Sequence, residues 1–169
     1  MKKLLNSSVV VVLLAAAGTQ AAQAQSASIS ATATVQQALT IAAAGNLAFG
    51  SVFPGVAKVV APSDAASGAW TLTGAANAEV TLTFTLPANL TDASSNNLPI
   101  SFGAASAGHN TVNSRAGLTL VNPTAVGTTR LDGVSGNLYV FIGGSVSPVA
   151  QPAGAYSGSI TLATAYTGN

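Results

Sequence analysis

Cysteine is absent from all 169 residues, histidine occurs once, and formal charge is confined to five basic and four acidic side chains. Without cysteine there is no disulfide, no thiol nucleophile and no thiolate metal site. A single histidine leaves the usual zinc ligand sets unfilled as well. With so few cations no basic patch can form, which argues against nucleic acid and anionic membranes as partners. No apolar run reaches the length of a membrane-spanning helix, so membrane insertion is not expected. Acid–base catalysis asks for ionisable groups set close together with separated pKa values, and scattered acids do not supply them.

What is present begins with an export signal. Lys2 and Lys3 precede an apolar stretch at 9–17, and Ala22-Gln23-Ala24 has the form of a cleavage site. The expected mature chain, 25–169, is one exported domain of 145 residues, long enough to bury a stable core. Its charges are Lys58, Arg115 and Arg130 against Asp64, Glu79, Asp92 and Asp132, a net −1 where the whole chain sums to +1. The surface must then be Ser, Thr, Asn, Gly and Ala, with little repulsion to keep copies apart.

The most informative stretch is 28–41. Its odd positions are Ile29, Ala31, Ala33, Val35, Gln37, Leu39 and Ile41, and its even positions are Ser, Thr or Gln except Ala38. Alternation of this kind, rich in β-branched residues, predicts a half-buried strand. A helix over 35–44, with Val35, Leu39 and Ala42 on one face, is the competing reading. Fourteen residues in a strand span about 46 Å, against about 17–20 Å for an ordinary one. Either the strand bends from one sheet into another, or its first part is offered to a sheet edge elsewhere.

Further along, 47–50 reads as a strand entering a bulge at Gly50, and Pro54-Gly55 as a type II turn. The cleanest alternation is at 80–86, with Val80, Leu82, Phe84 and Leu86 inward and three threonines outward. Leu98, Ile100 and Phe102 mark another strand, 103–115 reads as an exposed loop, and 117–121 as a strand. Residues 138–142 are apolar on both faces and should lie centrally, stopped by Gly143-Gly144. A last strand runs through Tyr156, Gly158, Ile160, Leu162 and Tyr166. About nine short strands with regular turn punctuation predict an all-β fold, a single immunoglobulin-like Greek-key β-sandwich with a long N-terminal strand. A jelly roll or barrel would give similar punctuation.

Chemistry-bearing residues are few. Asp64, Asp92 and Asp132 all sit in turn contexts, where Asp caps nearby backbone. His109 lies among small residues without a partner in sequence, and no G-x-S-x-G occurs. The Asp92–Asn96 stretch lacks the Gly and closing Glu of a calcium loop. Trp70, Phe84, Phe102 and Phe141 fall on inward phases or in apolar runs, so core packing accounts for them. No catalytic, metal or cofactor site is expected.

The order Gln36-x-x-Leu39-x-Ile41, then Leu47-x-Phe49-Gly50-x-Val52-x-Pro54-Gly55, looks like the opening of a family of small secreted Gram-negative proteins known as a domain of unknown function. Val140-x-Ile142-Gly143-Gly144 and Gly154-x-Tyr156-x-Gly158-x-Ile160-x-Leu162-x-x-x-Tyr166 match its ending. The ending also resembles fimbrial subunits of the chaperone–usher and spore-coat-U kind. The resemblance implies a secreted β-sandwich subunit polymerised by donor-strand exchange, with a periplasmic chaperone and an outer-membrane usher as partners in transit. This chain departs from spore-coat-U-like subunits in lacking their disulfide, and three residues follow the terminal Tyr.

Two readings of function follow. In the first, residues 25–35 form an extension in which Ile29, Ala31, Ala33 and Val35 insert into the unfilled sheet edge of another copy, while 36–169 form the sandwich. The product would be a head-to-tail filament at the cell surface. In the second, a monomeric adhesin-like or glycan-binding module uses the loops at 103–115 or 121–130. A hydrolase built around His109 is a third and weaker alternative.

Overall fold

A computed structural model describes residues 25–168, so the export signal read at 1–24 lies outside the described residues. The chain divides into two units, Met1–Thr34 and Val35–Asn169. In the first, the described residues 25–34 are exposed and belong to no strand. The second carries the fold.

That fold is all-β. Its strands are β1 (Thr40–Gly45), β2 (Lys58–Val60), β3 (Gly68–Thr73), β4 (Glu79–Thr85), β5 (Asn89–Thr91), β6 (Asn97–Ser101), β7 (Ala107–Asn110), β8 (Thr119–Val121), β9 (Gly127–Arg130), β10 (Asn137–Ile142), β11 (Gly144–Val146) and β12 (Thr161–Tyr166). They form three antiparallel sheets ordered β1-β3-β10-β7-β8, β2-β11-β6-β5 and β12-β4-β9. No helix among the described residues is long and apolar enough to cross a membrane.

The five-stranded sheet faces the three-stranded one, as a β-sandwich does. Leu72 of β3 and Leu138 and Val140 of β10 meet Val80 and Leu82 of β4 and Leu162 of β12. Trp70 meets Phe84 edge-on across this core, ring centroids 6.0 Å apart. The alternation at 80–86 therefore marks inward positions as expected. So does the two-sided apolarity of 138–142, because β10 lies in the middle of its sheet with both neighbours paired. Phe141 points to the other face, where the Arg115 guanidinium stacks 4.8 Å above its ring.

Gly143 turns the chain from the five-stranded sheet into the four-stranded one. Its amide donates to Ser106 O at 2.7 Å, and β11 begins at the next residue. That second sheet has its own small core, in which Leu98 and Ile100 of β6 and Val146 of β11 are buried.

The structure corrects the sequence reading in four places. The long strand expected over 28–41 is a strand only from Thr40, continuing to Gly45, because only there does a partner, β3, complete the ladder. The same pairing excludes a helix over 35–44. The loop expected at 103–115 contains β7, with His109 paired between Val140 and Thr119. Residues 47–50 form no strand, and the final strand starts at Thr161 rather than near Tyr156.

Candidate functional site

The buried side chains of the four-stranded sheet pack against two strandless segments, 46–54 and 152–160. Leu47, Phe49 and Val52 pack over them from one side and Tyr156 from the other. Between the segments lies a cleft of about 1000 Å³ with a mixed polar and apolar lining, Leu98, Ile100, Ile142 and Val146 among its residues.

The two flanks run in opposite directions. The Tyr166 hydroxyl donates to Gln37 O at 2.8 Å and accepts from the Ala75 amide at 2.7 Å, so the start of β1 is tied beside the end of β12. Segment 46–54 leaves the far end of β1, and 152–160 enters the far end of β12. Their outer ends are capped where the Gly55 amide donates to Pro148 O at 2.7 Å. Gly50 at φ 65° and Gly55 at φ 78° supply left-handed backbone that keeps 46–54 out of a regular ladder, and the expected turn at Pro54-Gly55 is closed by Val56 N–H to Phe53 O at 3.1 Å.

Along both flanks backbone pairing is sparse. Ala48 donates to Ala66 O at 2.9 Å, and Ser157 exchanges two hydrogen bonds with Thr91 at 2.8 and 2.9 Å. No strand ladder forms on 46–54 or 152–160 beyond that Thr91–Ser157 bridge. β1 and β12 are likewise edge strands, each with one side free of a ladder. Groups left in this way are a template for a further strand.

The residues read as knobs are fully available. Ile29 is 94 % and Val35 95 % exposed, and Ala31 and Ala33 are exposed between them. Sequence reasoning singled out this segment but not the cleft. The signal was present in Leu47 and Phe49, read as a strand entering a bulge, which together with Val52 instead form one wall.

The other candidates resolve into structural roles. Asp64 accepts from the Ala61 amide at 2.8 Å. Asp92 accepts from the Asn96 side-chain amide, which holds its carboxyl below the ordinary value, and from the Ser94 and Asn96 amides. Asp132 is lowered chiefly by the Ser135 amide at 2.7 Å. Glu79 pairs with Arg130 at 3.2 Å. His109, half-buried in β7, is pushed below the ordinary imidazole value by desolvation. Among the described residues no three His, Asp or Glu side chains gather as a metal site would need. No family model, curated protein or solved structure matches this chain.

Proposed function

We propose that this protein is an exported structural subunit that polymerises by strand donation. Residues 25–35 of one copy, the arm, fill the cleft of the next. The observation that carries this reading is the cleft of about 1000 Å³ between the strandless segments 46–54 and 152–160, above the small core of Leu98, Ile100 and Val146. An extended segment laid there gains a ladder on both sides, and its alternate side chains enter the cleft. Ile29 and Val35 supply most of the apolar surface, about 1.5–3 kcal/mol each if fully buried. Ala31 and Ala33 let the backbone sit close to the floor. The contact is head-to-tail, so it propagates as a filament at the cell surface when the rotation does not close a ring. An immunoglobulin-like subunit passing through the periplasm with a chaperone and an usher belongs to the same reading.

Deletion of 25–34 from the mature protein is the direct test. Electron microscopy should show filaments for the intact chain and single particles for the deletion, and filaments that persist unchanged rule strand donation out. Size exclusion over a range of concentrations separates the alternatives further. A ladder of oligomers belongs to the polymer, and one invariant monomer peak to a binding module.

A further inference from the structure

We propose that the exposed apolar tip at the head of the cleft, formed by Phe53, Val56 and Val149, is a second contact of the same joint and seats the body of the copy whose arm fills the cleft. The proposal rests on the strand-donation reading and adds a partner surface and a direction to it. Phe53 is 68 %, Val56 59 % and Val149 76 % exposed. They cluster around the Pro54–Gly55 turn, which the Gly55 amide ties to Pro148 O. Exposed apolar side chains gathered about one turn mark an interaction site more than single scattered ones do.

Continuity and reach say what covers it. Phe53, Pro54 and Pro148 line the cleft as well as carrying the tip, so one surface runs from floor to rim. In the donating copy Leu39 already packs against that copy's own core. From Val35 to Leu39 is four residues, at most about 13 Å of extended chain. Once Val35 is seated, the donor's body must therefore touch the acceptor at whichever end the arm leaves. One end presents the tip, whereas the other offers the small exposed residues Ala43, Asn46 and Ser159. No charged side chain occurs in 25–37, 46–57 or 144–160, and the carboxylate of Asp92 lies beside the cleft wall at Gly154, with no charge in the arm for it to attract or repel. The arm thus exits by Phe53 and runs antiparallel to 152–160 and parallel to 46–54.

The cysteine-free chain allows a clean test with paired substitutions in the full mature protein, oxidised and run on a non-reducing gel. Ala33→Cys with Val52→Cys reports the arm in the cleft. Gln36→Cys with Phe53→Cys reports exit at the tip, and Gln36→Cys with Ile160→Cys exit at the other end. The expected result is intermolecular ladders from the first two pairs, with the tip pair about tenfold or more richer than the Ile160 pair. Ladders from the first pair without the tip pair, or with the Ile160 pair in its place, overturn the tip while strand donation stands. No ladder from any pair brings down both. Val56→Ser with Val149→Ser should raise the concentration needed for filaments about tenfold. An unchanged threshold overturns the proposal.

Discussion

Gly143 is the clearest case of a single position set by its neighbours. A β-carbon built there points into the carbonyl of Val60, in backbone that cannot swing aside. Gly143→Ala should therefore cost at the upper end of the roughly 0.5–3 kcal/mol typical of point changes, read as a lower urea midpoint. His109 makes a different prediction. Its pKa is lower folded than unfolded, so the unfolded chain binds the extra proton first. Its contribution to stability is complete above the ordinary imidazole value near 6.5 and is lost as pH falls through the lower folded value. Melting temperature should drop in mildly acid solution, and His109→Phe should flatten that slope. Asp92 and Asp132, both lowered by hydrogen bonds, act further down: their contribution holds above the ordinary carboxylate range and goes as pH falls through their folded values.

At the scale of elements, strand donation would make the arm a row of knobs of unequal weight. Ile29→Ala and Val35→Ala should each weaken the joint by about 1–2 kcal/mol through lost burial, whereas Ser30→Ala, on the opposite phase, should change it little. Dissociation of filaments in urea, followed by light scattering, ranks the three. An equal effect from Ser30→Ala would mean that the other face of the arm is seated. Much of this organisation was legible from residue order. The threonine-spaced run at 80–86 and the two-sided apolarity of 138–142 each state a degree of burial, because side chains in a strand alternate faces. The partner of a strand is not written in that alternation, and 28–39 has the pattern without the pair. β7 escaped notice because Ala107, Gly108, His109 and Asn110 are poor strand formers held by neighbours on both sides. The cleft was illegible for a related reason. It lies between two segments that form no strand, and how far apart such segments sit is not written in their residue order.

For the whole molecule, the scarcity of charge has a measurable counterpart. With one ion pair among the described residues, Arg130 to Glu79, and no charge in the arm to meet Asp92 at the cleft wall, assembly by strand donation should be nearly indifferent to ionic strength. Growth rates in dilute buffer and in about 1 M salt, where screening shortens to about 3 Å, should agree within a factor of two or so; a steep dependence would place charged contacts in the joint. Reductant should have no effect on subunit or filament, since there is no cysteine to reduce.

The bridge between Thr91 and Ser157 has one more consequence. Its two hydrogen bonds are the one strand-type bridge between 152–160 and the rest of the described residues, with Tyr156 packed on the core beside it, so in an unjoined copy that strip is lightly held. Proteases would find it quickly, and a neighbour's arrival would cover it. On the strand-donation reading, solitary copies would be clipped at 152–160 sooner than copies joined to a neighbour.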